Sequence, residues 1–377
     1  MRIETLAVHA GAEPDPATGA VAPPIHLSTT FEHGPACEDL HGYAYIREKN
    51  PTQSRLEEAM AQLEGGEAAL VFGSGMGAGC TVLQSLPPGS HVIFPNDLYT
   101  GFRHLYQEYL PHWGIETTVV EMEDLNQLKA AIRPNTRLIW AETPSNPLMK
   151  IADLRALVDI AHGAGVELLV DNTFATPILQ RPLDLGADIV FHSTTKYCGG
   201  HSDVQGGCLI LKKRESAQKQ LSHEHLYRTR TLMGATASPF ASWLVLRGLR
   251  SLACRMETHS SNAQKIAEVV AKSSKIERVC YPGLPSHPGH EIARRQMKSF
   301  GGMLSILVRG GFDEAIRAAS RVKLFTNATS LGGTESLIEH RASSEGQGTH
   351  IPQNLLRLSV GLEHADDLIE DLLQAIG

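Results

Sequence analysis

Apolar runs and amphipathic segments alternate along the chain from about residue 50 onward. Pro51 to Glu64 has helical period, with Leu56, Met60 and Leu63 on one face, and Gly65-Gly66 ends it. Short apolar runs that predict buried strands lie at Ala68 to Phe72, His91 to Phe94, Arg137 to Ala141, Val166 to Val170, Ile189 to His192 and Gly207 to Leu211.

Helix-like segments, notably Leu154 to Gly163, separate most of these strands. Such alternation predicts a mainly parallel sheet with helices on both faces. A long amphipathic run from Pro239 to about Lys272 breaks the rhythm. Beyond it lie strand candidates at Met303 to Val308 and Leu355 to Val360 and a closing helix from Glu363 to Ile376. We therefore expect an α/β fold with a smaller C-terminal α+β domain.

Three parts of the chain follow from this pattern. Residues 1–50 are rich in Pro and Gly and irregular, so they form an arm that must lie on another surface, such as a neighbouring subunit. Residues 51–245 form the large domain and residues 246–377 the C-terminal domain. A chain of 377 residues is long enough for both to bury a core.

Composition and charge narrow the classes of function. The chain is 42% hydrophobic and 20% charged, as globular proteins are. Its net charge of -7 argues against nucleic-acid binding, which needs clustered Lys and Arg. The N-terminus lacks a signal-peptide pattern, and no apolar stretch is long enough to cross a bilayer. The cysteines are scattered without a CxxC pair, so we expect reduced thiols, no metal site and a cytoplasmic protein.

A glycine-rich loop follows the strand that ends at Phe72. Residues 73–79, Gly-Ser-Gly-Met-Gly-Ala-Gly, lead into a helix whose free N–H groups could bind a phosphate. The loop also fits a dinucleotide fingerprint loosely, with Asp97 where a ribose-binding acid would stand. A dehydrogenase and a purely structural turn are therefore open alternatives when the loop is considered alone.

Two other strand ends point to pyridoxal phosphate (PLP). Residues 171–173, Asp-Asn-Thr, follow one strand, and residues 193–197, Ser-Thr-Thr-Lys-Tyr, follow another. PLP needs an amine for its aldehyde, which Lys196 supplies, and an anion beside its pyridine nitrogen, which Asp171 supplies. Hydroxyls near Lys196 and the amides of the glycine loop offer donors to its phosphate. Alone, the lysine would more often be a surface residue and the aspartate a helix N-cap, so the prediction depends on their combination.

Residues 188–203 resemble the lysine signature of the Cys/Met-metabolism PLP-dependent enzymes, which include the cystathionine γ-synthase/γ-lyase group and methionine γ-lyase. Further family motifs recur in order along nearly the whole chain. They lie at residues 45–52, 74–76, 142–147, 330–333 and 357–363. The resemblance implies the aspartate-aminotransferase-like fold (fold type I) with a seven-stranded sheet, and a homo-oligomer whose smallest catalytic unit is a dimer and which is usually a tetramer.

The same resemblance implies roles for individual side chains. Lys196 and Tyr99 would be catalytic, with the phenol stacked on the PLP ring and assisting proton transfer. Arg357 would bind the substrate carboxylate through its planar guanidinium, with Asn146 nearby. The cofactor-binding set implied is Lys196, Asp171, Tyr99, Ser74, Gly75, Met76, Ser193, Thr195, Tyr45, Arg47 and Thr173. The substrate-binding set is Arg357, Asn146, Ser330 and Thr329.

The chemistry implied is γ-elimination or γ-replacement on a sulfur-containing or O-acyl-homoserine-type amino acid. Methionine γ-lyase is the first alternative, and a non-catalytic PLP-fold regulator is a remote one. In the implied oligomer Tyr45 and Arg47 reach the neighbouring subunit's site. Enzymes that act on cystathionine tend to carry acids where this chain has Ala44 and Thr329, and methionine γ-lyases usually carry a cysteine where Gly101 stands. The leaving group and the acceptor thiol therefore stay open.

Two further departures from the family pattern lie outside these motifs. Thr100 stands where the family usually has glycine. Residues 341–352, with Glu345, Gly346 and Gln347, follow the pattern of neither group. Glu48 is an acid that could replace those missing near the substrate's far end.

Overall fold

Two β-sheets and the helices that cover them make up the described residues, 1–212, 221–346 and 350–377, of the computed structural model. The strands are β1 Ala68–Phe72, β2 His91–Pro95, β3 Glu116–Val120, β4 Thr136–Glu142, β5 Glu167–Asp171, β6 Ile189–His192, β7 Gly207–Leu211, β8 Ile276–Cys280, β9 Met303–Val308, β10 Thr326–Asn327, β11 Leu337–His340 and β12 Leu355–Ser359. The helices are α1 Ile3–His9, α2 Pro51–Glu64, α3 Gly75–Gln84, α4 Thr100–His104, α5 Leu125–Ala131, α6 Leu154–Gly163, α7 Thr176–Leu179, α8 Pro182–Leu185, α9 His223–Met233, α10 Pro239–Leu249, α11 Leu252–Val270, α12 His290–Gln296, α13 Gly311–Arg321, α14 Arg341–Glu345 and α15 Ala365–Ile376.

The larger sheet has seven strands in the order β1-β7-β6-β5-β4-β2-β3. Strand β7 runs antiparallel to both of its neighbours, and the strands from β2 to β6 pair in parallel. Strand β1 therefore points the same way as β6, because both are antiparallel to β7. The carboxyl ends of β1, β4, β5 and β6 consequently meet at one edge of the sheet, where open sheets of this kind bind ligands.

Strand β4 shows why this sheet is buried on both faces. Leu138 and Trp140 join the apolar cluster that includes Val82 of α3. Ile139, which points to the opposite face, joins the cluster that includes Leu157 of α6. The strands therefore read as continuous apolar runs instead of alternating ones, which is typical of a parallel sheet between two helical layers.

Helix α2 begins and ends where the sequence predicts. Asn50 caps its N-terminus, since its side-chain oxygen accepts a hydrogen bond from Thr52 N at 2.9 Å, and Pro51 occupies the first helical position. Gly65 ends the helix at φ 73°, a left-handed conformation that glycine adopts without strain.

The smaller sheet has five strands in the order β10-β11-β12-β9-β8. Leu356 and Leu358 of β12 pack in a cluster with Leu368 of α15. Side chains alternate along a strand, so Arg357 between them points away from this cluster. It is directly opposite Glu339 in the antiparallel pairing of β11 and β12, and the two side chains therefore share a face.

Two features of the secondary structure go beyond the sequence predictions. The amphipathic run from Pro239 to about Lys272 divides into two helices, α10 and α11. Near the end of α10, the carbonyl oxygen of Gly248 accepts a hydrogen bond from Arg255 of α11 at 2.7 Å. Strand β3 was missed because it is an edge strand in which Val120 alone is buried. An apolar pattern cannot reveal either feature.

The N-terminal arm is not irregular throughout. Residues 3–9 form α1, and its Ile3 and Ala7 are buried in the same cluster as Leu56 and Ala59 of α2. This part of the arm therefore packs on its own chain, which corrects the expectation of an irregular segment. The three-part division at residues 50 and 245 stays a prediction.

Candidate active site

The candidate active site is a cleft at the carboxyl edge of the seven-stranded sheet. Its empty volume is about 740 Å³, part of which is open to solvent. Leu331, which precedes β11, also lines it, so residues of both sheets' regions meet there. The predicted site residues that line the cleft are Ser74, Gly75, Met76, Tyr99, Asn146, Asp171, Thr173, Ser193, Thr195 and Lys196.

The glycine loop packs closely against the segment that follows β6 and against the first residue of β7. Ser74 caps α3, because its Oγ accepts a hydrogen bond from Gly77 N at 2.9 Å. A Cβ added at Gly75 would lie 3.1 Å from Ser193 Cβ, and one added at Gly207 would lie 2.3 Å from Ser74 O. Small residues are therefore required here, and they bring the amides of a helix N-terminus beside the Ser193 hydroxyl. This combination favours a bound phosphate.

Lys196 reaches from the large sheet to the region of the small one. Its Nζ donates a hydrogen bond to Ser330 Oγ at 2.7 Å. Burial, and next the positive charge of Arg357, lower the pKa of Lys196 to about 8. Ser330 has a left-handed backbone, with φ 83°, which is uncommon for a residue with a side chain. The amine is thus held in place and is neutral more often than a surface lysine.

Two carboxylates lie side by side at the ends of β4 and β5. Glu142 and Asp171 are directly opposite each other in the parallel register, and both are buried. Asp171 Oδ1 accepts a hydrogen bond from Thr173 N at 2.9 Å, while burial raises its pKa to about 6. Burial, followed by the charge of Asp171, raises the pKa of Glu142 well above its usual value. A cationic group placed here would relieve this unfavourable arrangement.

Tyr99 forms part of the opposite wall, and its side chain remains open to the cleft. The residue is 46% exposed, and its ring meets the ring of Phe102 edge-on at 6.1 Å. Its backbone N–H donates to Glu142 Oε2 at 2.9 Å. A Cβ added at Gly101 would lie 2.5 Å from Tyr99 Cε1, so the absence of a side chain there makes room for the ring. The phenol is thereby presented as a flat aromatic surface.

Arg357 is buried beside Lys196 and is held by three acceptors. Its Nη1 donates to Asn146 Oδ1 at 3.1 Å, and its Nη2 donates to Ser330 O at 3.0 Å and to Glu339 Oε2 at 2.6 Å. Burial, and next the charge of Arg341, lower the pKa of Arg357 to about 10, which leaves it protonated at neutral pH. A planar cation fixed in this way is suited to bind a carboxylate.

These parts fit PLP. Lys196 offers an amine of lowered pKa for the aldehyde, and Asp171 is a buried carboxylate that a protonated pyridine nitrogen would neutralise. The N-terminus of α3 offers amides for the phosphate, and Tyr99 offers a ring face. The fold and the site together define a PLP-dependent enzyme of fold type I.

Three of the predicted residues lie outside this chain's cleft. Tyr45 and Arg47 are exposed in the arm, where the guanidinium carbon lies 5.6 Å from the tyrosine ring centroid. Arg47 also donates to Thr231 O at 3.0 Å. Thr329 is exposed next to Ser330. The structure thus places Ser330 and Arg357 at the cleft through Lys196 and Asn146, whereas Tyr45, Arg47 and Thr329 are not brought there within one chain.

Three charged residues near the cleft were not predicted as site residues. Glu142 belongs to one of the family motifs and Arg341 to the segment that departs from the family pattern, but neither is a predicted site residue, and Glu339 belongs to no predicted feature. For Glu339, the feature that could have indicated a role is the pairing of β11 with β12, which aligns it with Arg357. Strand β11 is only four residues long, so its apolar pattern is too short to be noticed.

Asp97 does not stand free for a ribose. It is buried, and its Oδ2 accepts hydrogen bonds from Leu148 N at 3.0 Å and from the Ser145 hydroxyl. Burial raises its pKa to about 6. Asp97 therefore stabilises the loop that carries Asn146. It is not available to bind a ribose, and the interpretation of the glycine loop as a dinucleotide-binding site is left without its acidic residue.

Comparisons with known proteins agree with the site. The family model described as Cys/Met metabolism PLP-dependent enzyme matches residues 4–377. Cystathionine gamma-synthase of Mycobacterium tuberculosis (strain ATCC 25618 / H37Rv) is 47% identical over 379 residues, covering 99% of this chain and 96% of the relative. Cystathionine gamma-lyase of Bacillus subtilis (strain 168) is 43% identical over 389 residues, covering 100% and 99%. The crystal structure of metB from Corynebacterium glutamicum has a TM-score of 0.96 and 43% identity, covering 100% of this chain and 98% of that one.

The chain belongs to the Cys/Met metabolism PLP-dependent enzyme family. The predictions of the fold class, of PLP as cofactor and of an enzyme acting on small amino acids are thereby confirmed. The dehydrogenase and regulator alternatives have no support from these matches. In the part of the chain that the structure describes, no helix combines the length and apolar character needed to span a membrane.

Proposed function

We propose that this enzyme is a cystathionine γ-synthase, which joins an O-acyl-homoserine and cysteine to give cystathionine and a carboxylic acid. The observation that carries the proposal is Lys196, an amine of lowered pKa that lines the same cleft as Asp171 and shares the contact residue Ser330 with Arg357. The 47% identity to the mycobacterial cystathionine gamma-synthase supports this choice of reaction, although relatives named as cystathionine gamma-lyase and beta-lyase are 43% to 44% identical. γ-Elimination is the related outcome when no thiol is present: the O-acyl-homoserine and water give 2-oxobutyrate, ammonia and the carboxylic acid.

Each residue has a part in this proposal. Arg357 and Asn146 bind the α-carboxylate of the substrate, which orients its Cα toward Lys196. Bound PLP supplies the electron sink that stabilises negative charge at Cα. Lys196 Nζ takes the proton from Cα and can return it, and removal of a Cβ proton then lets the acyloxy group leave from Cγ.

The remaining residues would hold the cofactor. Asp171, whose Oδ1 accepts a hydrogen bond from Thr173 N at 2.9 Å, would pair with the protonated pyridine nitrogen. Tyr99 would offer its exposed ring to the cofactor ring and assist proton transfer. Ser74, Gly75, Met76, Ser193 and Thr195 bind the phosphate or the ring edge.

A second copy of the chain completes the site in this proposal. Tyr45 and Arg47 of one copy reach the phosphate of the neighbouring site, which explains why both are exposed in their own chain. We propose a homotetramer built as a dimer of dimers. The reduced cysteines and the composition support a cytoplasmic location.

The far end of the substrate is the open point. Ala44 and Thr329 are exposed neutral residues where acids would meet the distal ammonium of cystathionine, and Glu48 is the nearby acid that can replace them. Methionine γ-lyase is the second candidate, because a site without those acids suits an apolar thioether. Gly101 argues against methionine γ-lyase, because methionine γ-lyases usually carry a cysteine at this position. In this chain Gly101 packs on the Tyr99 ring.

The test uses the purified enzyme with PLP and measures cystathionine and 2-oxobutyrate. Cystathionine formed from O-acyl-homoserine and cysteine would support the proposal. 2-Oxobutyrate from methionine, without cystathionine synthesis, would establish the lyase instead. A protein that shows no visible PLP absorbance after addition of PLP would contradict the cofactor assignment itself.

A further inference from the structure

Five buried charges of alternating sign form a row that starts at the Arg357 side chain. Arg357 Nη2 is 2.6 Å from Glu339 Oε2, and Arg341 Nη1 is 3.0 Å from the same oxygen. Arg341 Nη2 is 2.9 Å from Glu345 Oε1, and Arg103 Nη1 is 2.6 Å from Glu345 Oε2. Each of the five side chains is at most 12% exposed. We call these residues the charge row.

The first pair of the charge row poses an electrostatic problem for substrate binding. Glu339 cancels the charge of Arg357, and a substrate carboxylate that arrives at Arg357 is repelled by Glu339. The three arginines and two glutamates of the charge row sum to one positive unit, and Arg341 shares its charge between Glu339 and Glu345. Burial makes that charge matter more, since it is screened less than at a surface.

The position of Arg341 is fixed by residues that depart from the family pattern. Its Nη2 also donates to Thr100 Oγ1 at 3.1 Å, and Thr100 Oγ1 donates to Glu345 Oε1 at 3.0 Å. Thr100 and the segment of residues 341–352 each depart from the family pattern, and Thr100 contacts Arg341 and Glu345 of that segment. Thr100, Arg341 and Glu345 therefore form one connected group, and its member Thr100 directly follows Tyr99 in the sequence. Residues 347–349 of the segment, with Gln347, lie outside the described residues.

We propose that Arg341 is a positioning residue that offsets the charge of Glu339 and so keeps a net positive charge at Arg357 for the substrate carboxylate. Thr100 and Glu345 hold its guanidinium in that place. The inference rests on the proposed role of Arg357, and it does not depend on which leaving group the substrate carries. Arg341 itself acts through Glu339.

The test compares two ligands of the PLP-loaded enzyme that differ in the carboxylate. Homoserine carries an amine, a hydroxyl and a carboxylate, and 3-aminopropan-1-ol is the same molecule without the carboxylate. Dissociation constants are measured from the change in visible absorbance of the bound cofactor. In Arg341→Met we expect homoserine to bind about tenfold more weakly, whereas binding of 3-aminopropan-1-ol changes less than about twofold.

Control variants separate charge from folding. Arg317→Met removes an arginine that pairs with Glu314 on α13 at the surface, and it should leave both dissociation constants unchanged. Arg341→Lys returns a cation to Glu339 and should recover most of the homoserine affinity. Should Arg341→Met fold poorly, Arg341→Gln keeps an amide donor to Glu339 without the charge, and the same selective loss is expected.

The outcomes that overturn the inference are distinct. If both ligands bind Arg341→Met equally more weakly, the role of Arg341 is a general structural one. If homoserine binding is unchanged, Arg341 has no influence on the binding of the carboxylate at Arg357. Failure of the proposed function would be seen differently, as an absence of cystathionine synthesis by the wild-type enzyme. The binding comparison is independent of that assay.

Discussion

The backbone N–H of Tyr99 donates to Glu142 Oε2 at 2.9 Å, so the last residue of β4 positions the aromatic side chain on the other wall of the cleft. Glu142 is at the same time the register partner of Asp171. One buried carboxylate thus connects the proposed ring-stacking residue to the proposed partner of the pyridine nitrogen.

Two variants of Glu142 should distinguish the contribution of its hydrogen bond to activity from the contribution of its charge. Gln keeps an oxygen that can accept from Tyr99 N, so we expect Glu142→Gln to lose less than about fivefold in kcat/KM. Glu142→Ala removes the acceptor and should lose roughly 10- to 100-fold, as loss of a buried hydrogen bond and of the ring position implies. Steady-state kinetics with matched cofactor loading measure both. Equal losses in the two variants would contradict the positioning role.

Asp171→Asn should weaken cofactor binding and stabilise the protein without cofactor. Burial raises the pKa of Asp171 from 3.8 to about 6 in the folded protein. The folded protein therefore has its full stability below pH 3.8, where the carboxyl is neutral, and loses stability as the pH rises through about 6 and the carboxyl ionises. At pH 7 the ionised form therefore destabilises the apoprotein by up to about 3 kcal/mol. Urea unfolding should show Asp171→Asn as more stable at pH 7, with the gap closing near pH 4. A less stable variant at pH 7 would contradict this.

The rate at which the apoprotein recombines with PLP should rise with pH and level off above about 8, because only the neutral Lys196 amine can attack the aldehyde and its pKa is about 8. An ordinary lysine would give a rise that continues to roughly pH 10.4. Stopped-flow absorbance measures the rate. Lys196→Ala should show no such rise and at least about 1000-fold less turnover, and Lys265→Ala on α11 serves as the control.

Arg357→Lys should keep the charge but lose the planar fork that contacts Asn146, Ser330 and Glu339. We expect KM for the amino acid to rise about 10- to 100-fold with a smaller fall in kcat, because the interaction is made with the bound substrate in every step. Initial-rate kinetics over a wide substrate range give the two constants. A fall in kcat alone would place the role of Arg357 elsewhere.

The positions of Lys196 and Asp171 could be predicted from the sequence because each closely follows a buried apolar strand. The strand order decides that those ends meet, and the alternation of helices and strands already implied a parallel sheet. The local pattern and the topology agree at these two residues, and the cofactor was therefore predicted correctly from the sequence, whereas the roles of the individual site residues stay predictions.

The charge row could not be predicted in this way. Arg103 and Glu345 are 242 residues apart in sequence, and their contact depends on how the smaller sheet's region packs on the larger one. Charged residues in short helices such as α14 usually face solvent, so nothing in their local pattern indicates burial. Contacts of this kind follow from tertiary packing alone.

Ser330 has a consequence for the alignment of the substrate. Its hydroxyl accepts from Lys196 Nζ at 2.7 Å and its carbonyl oxygen accepts from Arg357 Nη2 at 3.0 Å, so one residue contacts both the amine and the guanidinium. Its left-handed backbone, φ 83°, leaves few side chains able to take its place without strain. A replacement at Ser330 should therefore displace the base from the carboxylate-binding group, and the Cα of a substrate held at Arg357 would no longer face Lys196.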